Sequence, residues 1–134
     1  MPIKFDSPPR TILLCDYGLG GFCAPEMVKR RPVVVISPRL RHRTGLVSVV
    51  PLSLTAPDRH SDHQCKVSMP YALPGYPALS CWAKADIVAT VSFQRLDMFR
   101  TDRDQFGKRK YLSPRLSVDD FAKIKDCIRA ALGL

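Results

Sequence analysis

The chain has 134 residues, of which 46% are hydrophobic, so it fits one domain and is too apolar to be a disordered tail. A domain of this size buries roughly two-thirds of its unfolded surface and needs no covalent staples. The 21 Lys and Arg outnumber the 12 Asp and Glu, and the net charge of +9 calls for a polyanion or an acidic protein as partner. Its longest apolar runs, Val33 to Ile36 and Leu46 to Leu54, fall short of the ~18 residues of a membrane span, and no basic amphipathic helix carries the charge, so no membrane role is expected. The opening MPIKFDSPPR holds no apolar core of a secretion signal, and the expected location is the cytoplasm.

Residues 1–9 contain Pro2, Pro8 and Pro9 and read as an extended lead-in. Thr11 to Asp16 reads as a first strand, followed by a glycine-rich loop, YGLGGFCAP, from Tyr17 to Pro25, expected to be a mobile surface loop. After Arg31-Pro32, the unbroken run VVVIS over 33–37 predicts a central strand covered on both faces, with Pro38 ending it. RLRHRTG over 39–45 is a basic connection, and Leu46 to Ser53 is a third strand with a bend expected at Pro51. Residues 55–65 are polar and loop-like, Lys66 to Met69 a short strand, and PYALPGYP over 70–77 irregular. Cys81 to Phe93 reads as one long strand, with Lys84 and Asp86 on one face of its alternation, and Phe93 to Phe99 as a helical turn.

The last element is the plainest. Ser117 caps a helix running to about Leu132, with Asp119 and Asp120 in its first turn and Val118, Phe121, Ile124, Ile128 and Leu132 at helical spacing. Gly133 ends it. Many short strands, many turn prolines and one late helix predict a mostly β fold with α (α+β): a small antiparallel barrel covered by the helix, forming a single domain over 1–134.

Cys15, Cys23, Cys65, Cys81 and Cys127 are odd in number and widely spaced, which fits free thiols in a reducing compartment rather than a disulfide framework. The glycine loop lacks the GK[ST] of a phosphate-binding loop, and Pro25 and Pro32 stop the helix that a dinucleotide fold would need. His60, His63 and Cys65 have the composition of a metal cluster but no fourth ligand and no element to aim them, so solvated loop residues are expected and no metal or cofactor is predicted.

The set Glu26, Arg30, Arg31 and Ser53 carries more chemistry. A guanidinium beside an apolar strand wants a partner, and Glu26 can supply one in a structural salt bridge. The same groups also suit RNA cleavage. There a 2′-hydroxyl loses a proton and attacks phosphorus, the 5′-oxygen gains one, and the dianionic phosphorane needs a fixed cation. Arg31 fits that cation, Glu26 a base or a group that orients Arg31, and Ser53 a donor to a phosphate oxygen. Arg39, Arg41, His42 and Arg43, with Arg30, make a candidate backbone-tracking patch for single-stranded RNA, and Tyr71, Tyr76 and Trp82 offer stacking faces.

The segment EMVKRRPVVVISP, then RTGLVSVVPLS and later WAKADIVATVSFQRL, resembles the PemK/MazF toxins of bacterial type II toxin–antitoxin systems. The shared pattern is Glu26, Arg31-Pro32, Ser37-Pro38, Thr44-Gly45, Val50-Pro51, Ser53 and Asp86. The resemblance implies an SH3-like barrel, a homodimer, and metal-independent cleavage of single-stranded RNA to 2′,3′-cyclic phosphate and 5′-hydroxyl ends. It assigns Arg31 as acid or transition-state cation, Glu26 as acidic helper, Ser53 to a position often held by threonine, and Asp86 and Lys84 to an assisting pair. Lysine at 84 lacks the bidentate fork of the arginine some members carry, which puts the main burden on Arg31. It further implies a cognate antitoxin, with an acidic tail suited to the basic surface. The competing expectations are a CcdB-like binder of a protein target on the same barrel, and a nucleic-acid-binding barrel without chemistry.

Overall fold

A computed structural model describes residues 2–134. Three antiparallel strands form its centre: β1 (Ile12–Asp16), β2 (Arg30–Val35) and β3 (Leu46–Ser53). Val33, Val34 and Val35 are all fully buried because the sheet has a hydrophobic cluster on each side. Val34, Val50 and Leu52 face the cluster that includes Phe121 and Ile124 of the C-terminal helix. Val33, Val35 and Val49 face a second cluster with Tyr17, Phe93 and Leu96. That double burial is why the run lacks polar alternation.

The strand path is β4-β5-β3-β2-β1-β7, with β6 also on β3, where β4 is Gln64–Ser68, β5 Ser80–Lys84, β6 Ala89–Ser92 and β7 Leu96–Asp97. The mostly β class with one late helix is as expected, but the barrel is a curled sheet whose end strands β4 and β7 do not pair. The helix α1 (Val118–Leu132) occupies the β4 edge instead. Ser68 N donates to Asp120 Oδ2 at 2.8 Å, and Lys123 Nζ donates to the Lys66 carbonyl at 2.8 Å. Side chains of the helix thus satisfy edge groups that would otherwise seek another strand.

The expected long strand over 81–93 is broken. Its first part, β5, pairs with the C-terminal end of β3, and its second part, β6, pairs with the N-terminal half. A 3₁₀ turn, Ala85–Ile87, separates them, with buried Ala85 donating its N–H to the His63 carbonyl at 3.0 Å. Carried inward, the two registers meet opposite Val50-Pro51, where Pro51 has no N–H to give a ladder. Alternation therefore does not put Lys84 and Asp86 on one face: Lys84 ends β5 and Asp86 is exposed on the turn. A second 3₁₀ turn, Phe93–Arg95, matches the expected helical turn only at its start, because β7 follows at once. One element was not anticipated, a separate hairpin of β8 (Arg100–Arg103) and β9 (Arg109–Tyr111).

The helix follows its sequence signals. Ser117 Oγ accepts from Asp120 N at 3.1 Å, and Gly133 closes the end at a φ of 72°. Its buried stripe is Phe121, Ile124 and Cys127, whereas Val118 and Leu132 stay exposed at the ends. Among the described residues no helix is long and apolar enough to cross a membrane.

Ile124 is fully buried between sheet and helix. Ile124→Ala is expected to lower stability by about 2–5 kcal/mol and Ser117→Ala by about 1 kcal/mol, both read from urea unfolding midpoints.

Candidate active site

The pairing of β2 and β3 sets Val33 opposite Pro51 and Val35 opposite Val49. The paired rungs end at Val33–Pro51, and two residues beyond them on each strand stand Arg31 and Ser53, which line one hollow. Alternation puts both on the side of the sheet that carries Val33 and Val49, and Trp82 joins them because it pairs with Ser53. Lys84, two residues on from Trp82, shares that face.

A hollow of about 280 Å³ opens at this end of the ladder. Arg31 and Ser53 stand on its rim, and Pro32, Leu52, Met69, Tyr76 and Cys81 line much of its interior. The proline-rich segment after β4 forms one wall. It is irregular, as expected, but ordered: Leu73 and Tyr76 exchange backbone hydrogen bonds at 3.2 and 2.9 Å, with Gly75 at a φ of 78° making the turn. Leu73 is buried in the core, Tyr76 packs edge-on to Phe99 at 6.0 Å, and the Tyr76 hydroxyl donates to the Arg30 carbonyl at 3.4 Å.

Two polar details mark the rim. Ser53 is buried, and its Oγ accepts from Thr55 N at 3.1 Å, which fixes the hydroxyl near the chain's exit from β3. Arg31 is half-buried, and its Nε has no hydrogen-bond partner in the protein. A guanidinium with a donor not engaged by the protein is suited to a charge-assisted hydrogen bond with an anion.

The other expected residues are distributed differently. Glu26 is exposed in the turn Cys23–Glu26, and its Oε2 accepts from Cys23 N at 2.6 Å. No ion pair joins it to Arg31 among the described residues, because the short turn aims the carboxylate back at its own backbone. Arg30 lies beside Asp97 at 4.0 Å. Arg39 approaches Asp6 at 3.7 Å, and Arg41 and Arg43 line a separate open hollow of about 490 Å³. Between them, His42 sits at a φ of 63°. These four follow β2 and precede β3, so they lie at the opposite end of the ladder from Arg31 and Ser53. Within one chain the two groups do not form one cleft.

The glycine loop is better anchored than its composition implies. Arg95 donates through NH1 to the Asp16 carbonyl at 3.2 Å and through NH2 to the Gly20 carbonyl, and its guanidinium lies 4.5 Å from the Phe22 ring centroid. Tyr17 meets Phe22 edge-on at 5.4 Å. His60 pairs with Asp62 at 3.6 Å, and no group of three His, Cys, Asp or Glu among the described residues has metal-holding geometry.

Sequence reasoning missed the role of Tyr76 and its loop as a wall of the hollow. The available signal was the Pro-Gly-Tyr-Pro turn at 74–77, flanked by Leu73.

The chain matches the model of the PemK-like, MazF-like toxins of type II toxin–antitoxin systems over residues 9–132. It therefore belongs to the PemK/MazF toxin family. Among solved structures it is similar to a mycobacterial endoribonuclease in complex with its cognate antitoxin, at 20% identity and a TM-score of 0.64, covering 96% of this chain and 97% of that one. It is also similar to MazF from Deinococcus radiodurans, at 16% identity and a TM-score of 0.61 over 98% and 100% of the two chains. The Mycobacterium tuberculosis toxin MazF-mt6 is similar at 16% identity and a TM-score of 0.60 over 93% and 98%. No curated protein matches the chain.

Burial pushes the Cys15 and Cys65 thiols up to about 12 and Cys81 up to about 11, against an ordinary thiol value of 9.0. The folded thiols thus keep their protons where the unfolded chain loses them. Above pH 9 the unfolded state binds fewer protons, so stability falls as pH rises from about 9 toward 11–12. Thermal midpoints should be flat through neutral pH and drop above about 9, and replacing Cys15 and Cys81 by Ala should flatten that drop. At pH 7.5 a thiol reagent should label exposed Cys23 long before the others.

Proposed function

We propose that this toxin is an endoribonuclease that cuts single-stranded RNA at the rim formed by Arg31 and Ser53. The observation that carries the reading is the half-buried Arg31, at the start of β2 with its Nε unmet, lining one hollow together with the buried Ser53 hydroxyl. Family membership supports it, as does the likeness to proteins named as endoribonucleases.

In this reading the RNA phosphate lies against the Arg31 guanidinium, which stabilises the charge that builds on phosphorus as the 2′-oxygen attacks. Arg31, or a water it orders, returns a proton to the leaving 5′-oxygen. Ser53 donates to a non-bridging oxygen. The proton that the 2′-hydroxyl loses goes to Glu26 once RNA is bound and its carboxylate turns; without RNA, Glu26 shapes the Cys23–Glu26 turn near the entry to β2. Lys84, on the face of Ser53, adds positive charge, and Asp86 assists from the neighbouring 3₁₀ turn. The guanidinium supplies the cation, so the reading assigns the step no metal or cofactor. Products carry 2′,3′-cyclic phosphate and 5′-hydroxyl ends.

The same reading makes residues 1–134 a single domain that works in the cytoplasm as a homodimer. It also gives the protein a cognate antitoxin whose acidic tail covers the basic surface and blocks the rim. In a homodimer the patch of Arg39, Arg41, His42 and Arg43 would guide RNA at a distance from the cut.

Purified protein incubated with mixed-sequence single-stranded RNA tests this. Cleavage should give cyclic phosphate ends and should stop at a position made 2′-deoxy. Arg31→Ala should lower the single-turnover rate by about 10²–10³-fold, the range for loss of one oxyanion donor. RNA left intact by wild type at high protein concentration would sink the reading. A CcdB-like binder of a protein target would behave that way.

A further inference from the structure

The hairpin of β8 and β9 is absent from the reading above, and its chemistry is unusual for a solvated loop. Residues 100–111, RTDRDQFGKRKY, hold five cations (Arg100, Arg103, Lys108, Arg109, Lys110) against Asp102 and Asp104. The hairpin forms its own two-stranded sheet, so few of its side chains have the main core to pack on. Its register sets Arg100 opposite Tyr111 and Arg103 opposite Arg109, with a bulge between. Thr101 and Asp102 on β8 therefore stand against Lys110 alone on β9, and Arg100, Arg103, Arg109 and Tyr111 all fall on one face.

Arg103 and Arg109 are like charges directly opposite each other, an arrangement that destabilises a hairpin. Neutralisation from within is lacking. No ion pair among the described residues joins any of the five cations to a carboxylate. Asp104 is engaged elsewhere: its Oδ1 accepts from Phe106 N at 2.8 Å and Lys108 N at 2.9 Å, building the tip. Gly107 completes that tip at a φ of 78°, and Arg103 donates to the Gly107 carbonyl at 2.8 Å. This built turn holds Phe106 79% exposed, while Tyr111 at the other end is 48% exposed.

The root of the hairpin is next to the hollow. Leu112 N donates to the Phe99 carbonyl at 2.8 Å, Phe99 packs on Tyr76, and Tyr76 lines the hollow with Arg31 and Ser53. We propose that the β8–β9 hairpin is a second RNA contact, in which Arg100, Arg103 and Arg109 hold backbone phosphates of the strand leaving the hollow and Tyr111 and Phe106 stack on its bases. The inference rests on the endoribonuclease reading. Paired guanidiniums match phosphate oxygens, and exposed rings beside them match unpaired bases. An acidic peptide would use the charge and leave both rings idle.

The test compares wild type, Arg103→Ala/Arg109→Ala, and Phe106→Ala/Tyr111→Ala. A fluorescent all-2′-deoxy 20-mer, which cannot be cut, reports binding by anisotropy across a salt series, and single-turnover cleavage is followed on a long RNA and on a short one that only fills the hollow. The arginine variant should bind the 20-mer about tenfold more weakly, with a salt slope shallower by about 1.4, at ~0.7 for each phosphate no longer held. The aromatic variant should bind more weakly with the slope unchanged. Both should cleave the short RNA at the wild-type rate, which also shows they are folded. Wild-type affinity and slope in both variants would overturn the inference while leaving the nuclease reading intact. So would weakened capture of a poly-glutamate-containing peptide with 20-mer binding unchanged, which would assign the hairpin to a protein. A wild type that neither binds nor cuts overturns the nuclease reading itself.

Discussion

The fold turns on one strand that is paired on both edges and buried on both faces. β3 takes β2 along one edge and β5 and β6 along the other, while Val49, Val50 and Leu52 are packed between two clusters. A strand so enclosed cannot slip: a shift of one residue would exchange the contents of the two clusters and turn Ser53 to the other face. The register that results brings Arg31 and Ser53 to the same end of the ladder, where both line one hollow. The candidate site is therefore a by-product of core packing, and the precision of the pair comes from valines several residues away. The break in the partner segment at Ala85–Ile87 belongs to the same constraint, since it lets that segment pair with both halves of one continuous strand.

Charge is arranged in the opposite spirit to the core. Burial keeps the Cys15 and Cys81 thiols protonated, while three groups of cations sit where strands end or in an outlying hairpin. Three basic places result: the Arg31 rim, the loop over 39–43 beyond the far end of the same ladder, and the β8–β9 hairpin. Only the first combines a guanidinium with partial burial and an unmet donor. In the other two the charges are largely exposed, and exposed charges are screened by salt.

Much of the ladder was legible in the amino-acid order. The β-branched run at 33–35, the capped helix after Ser117 and the third strand through Ser53 are each written in local chemistry that tertiary structure had no reason to override. The segment over 81–93 was misread because its alternation is continuous while its pairing is not, and the three-residue shift is dictated by β3, a partner remote in sequence. The Glu26–Arg31 pairing failed for a similar reason. Residue types made the bridge reasonable, but the Cys23–Glu26 turn satisfies the carboxylate locally. The hairpin escaped notice because charged strands without an apolar face carry no periodic signal. Arg31 and Ser53 could be named from a family pattern, whereas the hollow beside them depends on how Leu73 and Tyr76 fold an irregular loop, which no periodicity encodes.

The central claim is that the Arg31 guanidinium itself provides the positive charge on which RNA cleavage depends. Chemical rescue addresses it most directly: single-turnover cleavage of a single-stranded RNA by Arg31→Ala, measured across a series of added free guanidinium concentrations below those that unfold the protein. The account predicts a slow variant whose rate rises with guanidinium, while wild type and Arg31→Ala given equal sodium show no gain. An Arg31→Ala protein that cuts at the wild-type rate without any added cation would contradict it.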